Sequence, residues 1–145
     1  MNTIPIYILN IASLKMTIKT KNFNPETDKK LICTCNDKRC DKRSVKQGVL
    51  NMLQLVRDEY GLPMSVTSGG RCPYHKNELH RDKPADHQKQ QGVDIRITGI
   101  VMAMLIMAIA VKHGFNAFGI SLKDGFIHLG FRHELVGKKP VVWTY

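Results

Sequence analysis

Apolar residues recur at helical spacing between residues 45 and 60. Val45, Val49, Met52, Val56 and Tyr60 mark one stripe, and Leu53 widens it. Ser44 and Gln47 stand at capping-box spacing, which predicts a helix beginning at Ser44. Gly61 and Pro63 stop it. The period then changes. Met64–Ser68 reads as a short strand, with Val66 and Thr67 as its β-formers. From Gly92 to Ile97 the chain alternates: Val93, Ile95 and Ile97 share one face, Asp94 and Arg96 the other. The apolar run Ile100 to His113 predicts a buried helix ended by Gly114. Its Met102, Met104 and Met107 read as adaptable core packing. Ala117–Ser121 and Phe126–Phe131 predict a hairpin that turns at Asp124-Gly125. In its second strand Ile127, Leu129 and Phe131 alternate with Phe126, His128 and Gly130. Val141–Tyr145, with the single tryptophan Trp143, closes the sheet. The expected fold class is α+β, a small antiparallel sheet with helices packed on one face.

A chain of 145 residues, 43% hydrophobic and 23% charged, has the size and composition of one soluble globular domain. Residues 21–145 are expected to form it, with 1–20 as an N-terminal extension. The apolar stretch Ile4–Leu14 has no Lys or Arg before it and no Ala-x-Ala pattern after it, which argues against a secretory leader. Met16 is an alternative start. The run Ile100–Val111 is shorter than the roughly 18 residues of a membrane span. The formal charge of +10 favours a polyanionic partner: nucleic acid, lipopolysaccharide, teichoic acid or an anionic bilayer. A nucleic-acid-binding protein with purely structural histidines is therefore the alternative to an enzyme.

Chemistry concentrates in the loops. The basic, irregular stretch 21–43 holds Cys33, Cys35 and Cys40, and Cys72 follows Arg71. The Cys-x-Cys-x4-Cys spacing is not a standard knuckle, so a structural zinc, one disulfide and free thiols all stay open. The polar loop 73–86 carries His75, His80, Lys83 and Asp86, and a loop this long often serves a site. Taken alone, His75 and His80 read as solvated loop histidines. Asp94 and His128 each face away from the aliphatic residues of their strands. With His87, seven residues before Asp94, they give two imidazoles and a carboxylate, a set that zinc accepts with one tetrahedral corner open. Such a site predicts metal-assisted hydrolysis.

The order Ser68-Gly-x-Arg71, His87-x6-Asp94 and Phe126-Ile-His128 resembles the zinc D-Ala-D-Ala carboxypeptidase family of peptidoglycan metallopeptidases. The resemblance is to its small single-domain type, which includes L-Ala-D-Glu endopeptidases and phage endolysins. Leu55–Met64 is similar to the family's helix and turn before Ser-Gly-x-Arg, and Pro140–Tyr145 to its terminal strand. The resemblance implies a hedgehog/D-Ala-D-Ala-peptidase-like fold and one catalytic Zn²⁺ on His87, Asp94 and His128. It implies that Arg71 binds substrate or polarises its carbonyl, with Ser68 and His75 in the substrate site. It calls for a general base a few residues before the last ligand, where Asp124 stands; His133 and Glu134 are other possibilities. Three positions depart from the family pattern: Gly70 for an aromatic residue, Gln90 for a glycine, and Gly130 for an aspartate. The implied protein is a monomeric cell-wall hydrolase, phage-encoded, held in the host cytoplasm until it reaches peptidoglycan and adsorbed there on anionic envelope polymers. A non-catalytic, metal-stabilised wall-binding module is the third reading.

Overall fold

The computed structural model describes residues 17–145. Ile4–Leu14 and Met16 lie outside the described residues. The end of the expected extension is tied to the domain: the Lys19 N–H donates to Gln47 Oε1 at 2.8 Å, and the Thr20 hydroxyl to Gln54 Oε1 at 2.8 Å.

Helix α1 spans Gln47–Tyr60, three residues later than the capping box predicts. Backbone pairing explains the correction. Ser44 forms an isolated antiparallel bridge with Ile32, the Val45 N–H donates to the Leu31 carbonyl, and the Lys46 N–H donates to the Gln90 carbonyl. Those bonds hold residues 44–46 extended, and Gln47 turns its amide to the Lys19 backbone instead of back to Ser44. The apolar stripe holds: Val49, Leu50, Leu53 and Val56 are buried. Gly61 adopts the left-handed conformation (φ +76°) that ends the helix, with its N–H on the Arg57 carbonyl.

The strands are β1 (Val66–Ser68), β2 (Gly92–Arg96), β3 (Ala117–Ser121), β4 (Phe126–Gly130) and β5 (Val141–Thr144), and α2 (Ile100–Lys112) lies between β2 and β3. The sheet order is β1-β2-β4-β3-β5. The first four strands are antiparallel, whereas β5 runs parallel to β3, so the sheet is mixed. One face is aliphatic. Val93, Ile95, Ile127, Leu129, Phe118 and Ile120 meet α1 and α2 there, and each such side chain contributes about 1.5–3 kcal/mol on burial.

Helix α2 corrects the expectation of a buried helix. Ala103, Ile106 and Ala110 are buried and Met102 and Met107 half-buried, but Val101, Met104, Leu105 and Val111 are exposed. A sheet with α1 beside α2 contacts only one side of that helix, and no further layer covers it among the described residues. None of the described helices is long and apolar enough to cross a membrane.

Candidate metal centre

The opposite face of the sheet carries a row of facing residues: Ser68, Asp94, His128, Gly119 and Trp143, one from each strand. Asp94 and His128 are direct cross-strand partners on β2 and β4. His87 reaches the same point from the loop before β2. Its Nε2 is 3.2 Å from Asp94 Oδ1 and 3.2 Å from His128 Nδ1, and the last two atoms are 2.9 Å apart. All three side chains are buried.

The remaining ring nitrogens decide what this triangle can hold. His87 Nδ1 lies 2.7 Å from the Gly69 carbonyl, which only accepts, so Nδ1 carries the proton and Nε2 presents its lone pair. His128 Nε2 lies 2.9 Å from Asp86 Oδ2 and donates to it, which turns the Nδ1 lone pair inward. The second oxygen of Asp94 accepts from Arg71 Nη2 at 3.0 Å, and Oδ1 faces the imidazoles. Three electron-rich atoms are thus aimed at one another. Ligands about 2.0–2.1 Å from a tetrahedral zinc stand about 3.3 Å apart. The observed edges of 2.9–3.2 Å fit that ion.

Comparison with known families gives the same answer. A family model described as Peptidase M15 matches residues 22–130 of the chain. The chain belongs to the peptidase M15 family. No curated protein matches it. M15 peptidases are zinc-dependent and include the D-Ala-D-Ala carboxypeptidase-like enzymes, so the resemblance read from the motifs holds.

This M15 chain buttresses the triangle with two carboxylates, Asp86 and Glu78, to which the sequence alone assigns no role. Asp86 accepts from His128 and, through both oxygens, from Arg132 Nε (2.9 Å) and Nη2 (3.1 Å). Burial would raise its pKa, but these hydrogen bonds outweigh burial and bring it down to about 2. Glu78, fully buried, accepts from Arg71 Nη1, Arg81 Nε and Gln88 Nε2. Asp94 is likewise held below the usual carboxylate range: burial opposes this, and the charges and hydrogen bonds of His87 and His128 win. The His128 imidazole is pushed up; burial works against it, and Asp86 and Asp94 overcome burial. Nothing in the sequence marked Glu78. Asp86 had a signal in Gly92 and Gly130, facing glycines in mid-sheet.

The same crowding accounts for one departure from the family pattern, Gly130, and similar crowding for Gly70. A Cβ at Gly130 would stand 2.6 Å from Asp86 Oδ2, and one at Gly92 would stand 2.6 Å from His128 Cε1. The Asp86–His128 pair thus fills the space that a side chain at position 130 would need. At Gly70 a Cβ would lie 2.2 Å from the Arg43 carbonyl, so the cysteine-bearing segment leaves no room for an aromatic residue. Gln90 stands in the left-handed region that favours glycine, at φ +62°, and its side-chain amide donates to the Ser44 carbonyl at 2.9 Å.

The His87-Asp94-His128 triangle lies at one side of a cleft of about 630 Å³ lined also by Arg71, His80, Arg81, Asp124, Arg132 and Trp143. A Cβ at Gly119 would meet the indole at 2.6 Å, so the missing side chain lets Trp143 lie across β3 toward His128. The other expected site residues are placed differently. Ser68 Oγ accepts from Arg71 Nε at 3.0 Å and does not line the cleft. His75 is buried beside a separate depression with Cys35, its Nδ1 accepting from the Asn77 N–H at 3.1 Å. Burial, aided by the charge of Arg71, lowers its pKa. His133 and Glu134 sit in a 3₁₀ turn away from the cleft. Asp124 does line it, and accepts from the Ser121 hydroxyl at 3.0 Å.

Proposed function

We propose that this M15 chain is a zinc-dependent peptidase that hydrolyses peptidoglycan stem peptides, in cell-wall lysis of the kind phage-encoded endolysins perform. One observation carries the reading. Each imidazole has its outer nitrogen fixed by a protein acceptor, so three ligand atoms are presented together beside an open cleft.

His87 Nε2, Asp94 Oδ1 and His128 Nδ1 would hold the metal. Bound there, zinc supplies Lewis-acid polarisation of a carbonyl and lowers the pKa of water toward neutrality. Arg71 positions the site by gripping Asp94 Oδ2, and its guanidinium lines the cleft as a donor toward substrate oxygens. Ser68 acts through Arg71, and His75 acts through the loop that carries Glu78. Arg71, Lys76, Arg81 and Arg132 give the cleft cations suited to the carboxylates of a stem peptide. Asp86 is committed to His128 and Arg132, so Asp124 is the carboxylate in the cleft left to take a proton as general base. The charge of +10 suits adsorption of the monomer to anionic envelope polymers.

The test is zinc content together with release of new amino groups from purified peptidoglycan. Hydrolysis is expected in the wild type and absent with chelator or in His128→Ala. Asp124→Ala should keep its zinc and lose about 10²–10⁴-fold in rate. The masses of the products separate a D-Ala-D-Ala cut from an L-Ala-D-Glu cut. Zinc without hydrolysis in the wild type would leave a wall-binding module; neither zinc nor hydrolysis, with salt-sensitive DNA binding, would move the assignment to nucleic acid.

A further inference from the structure

The four cysteines take no part in the site above, yet they too converge. Cys33, Cys35 and Cys40 come from the segment before α1, and Cys72 from the turn after β1. Their four Sγ atoms all lie within 4.8 Å of one another, with those of Cys35 and Cys72 3.3 Å apart. We propose that these four thiols are a second metal site, a tetrathiolate that holds one structural Zn²⁺.

Three features carry the proposal. The first is geometric: Zn–S bonds of about 2.3 Å in a tetrahedron put sulfurs about 3.8 Å apart, the scale on which these atoms cluster. The second is the backbone. The Cys72 N–H donates to Cys33 Sγ at 3.2 Å, and the Lys42 N–H donates to Cys40 Sγ at 3.4 Å. Lys42 takes φ +55°, outside the usual range for a lysine, in the turn that presents its N–H. Amides aimed at sulfur favour the thiolate, the form that binds metal. The third is charge. Four thiolates on a dication leave a net negative cluster, and the loop around it carries Lys38 and Lys42 beside Arg39 and Arg43, which pair with Asp37 and Asp41. Soft thiolate donors in a closed set select zinc in a structural role. The spacing that is unlike a standard knuckle is accommodated because Cys72 arrives from a different element.

The position gives the metal a task. The arms of the cysteine loop are joined by the Ile32–Ser44 bridge and by the Cys33 N–H on the Arg43 carbonyl. Gly69 and Gly70 pack against the backbone of Leu31 and Arg43. A metal on Cys72 therefore fixes the segment that supplies the Gly69 carbonyl to His87 and the Arg71 guanidinium to Asp94. The tetrathiolate clamps the frame of the His-Asp-His site from behind.

Cobalt substitution tests this without reference to hydrolysis. Metal-free, reduced full-length protein is titrated with Co²⁺ and followed by absorption. The wild type is expected to take up about two ions per chain, one of them giving the intense sulfur-to-cobalt charge-transfer band of a tetrahedral thiolate site. His128→Ala should keep that band and lose the other ion. Cys35→Ser with Cys40→Ser should lose the band and keep the other ion; both residues are only half-buried, so the replacement is mild. Wild-type protein that binds cobalt with no thiolate band would overturn the proposal, whatever the variants do. So would a Cys35–Cys72 disulfide found by mass spectrometry in the protein as isolated, before any chelator or reductant is added. Either result leaves the His-Asp-His site standing.

Discussion

The two faces of the sheet are built from the same strands by opposite rules. On the helix-covered face every position is filled by size: Val93, Ile95, Ile127, Leu129 and Phe118 are all fully buried against α1, α2 or each other. On the other face three positions are kept empty. Gly92, Gly130 and Gly119 have no side chain because Asp86, His128 and Trp143 occupy the space. One face gains stability from apolar area; the other buries Asp94, Asp86, His87 and His128, groups that cost free energy unless each is paired. Alternation along a strand lets both rules operate at adjacent residues, so Ile127 and His128 differ in role though they share a peptide bond.

That neighbouring pair gives the two largest expected effects. His128→Ala should abolish hydrolysis and remove one zinc per chain, read by metal analysis and amino-group release. Ile127→Ala should cost about 2–5 kcal/mol of stability by leaving a cavity. Measured in urea, that loss should come with unchanged zinc stoichiometry in the folded fraction. If Ile127→Ala lost zinc while staying folded, or His128→Ala left hydrolysis intact, the division between the faces would fail.

Much of this division was legible in the sequence, because it rests on period. The alternation at Gly92–Ile97 and Phe126–Phe131 places Asp94 and His128 opposite the aliphatic residues without any knowledge of partners. The His-x6-Asp spacing and the Ser-Gly-x-Arg motif gave the family. What period does not encode is what a loop brings over a strand. Asp86 and Glu78 lie in the loop 73–91, where no repeat constrains orientation; the role of Asp86 depends on Arg132, 46 residues away, and that of Glu78 on how the loop folds back on Arg71. The start of α1 was misplaced for a similar reason: a local capping signal at Ser44 lost to long-range pairing with Ile32. The exposed side of α2 escaped because composition shows that a helix is apolar, not how many of its sides find a neighbour.

Asp86 offers a smaller effect that sharpens the comparison. Asp86→Asn keeps the shape but weakens the acceptor that orients His128, and should lower zinc affinity about 10–100-fold. The same substitution reports on the metal-free protein. The Asp86 carboxyl falls from 3.8 to about 2 on folding, so it adds stability above its unfolded value and loses it as pH falls through the folded one. The stabilisation of wild type over Asp86→Asn should be about 2 kcal/mol near neutrality and shrink between about pH 4 and pH 2. A difference independent of pH in chelator would show that Asp86 acts by packing, as a residue of the other face would.

The smallest effect lies where backbone, not side chain, sets the site. Gln90 ends the turn that leads from His87 into β2, and it holds φ +62°, a conformation that costs a non-glycine residue about 1–2 kcal/mol. Its side chain offsets part of this by donating to the Ser44 carbonyl, a bond worth about 0.5–1.5 kcal/mol net. Glycine at this position would relieve the strain, lose the bond and add about 0.5–1 kcal/mol of unfolded-state entropy. Alanine would keep the strain and lose the bond. Gln90→Gly should therefore lie within about 1 kcal/mol of wild type, and Gln90→Ala should be the less stable of the two in thermal unfolding. If alanine proved the better substitute, the left-handed conformation at residue 90 would cost less than the unfolded-state entropy of glycine, and backbone strain would not be what sets this turn.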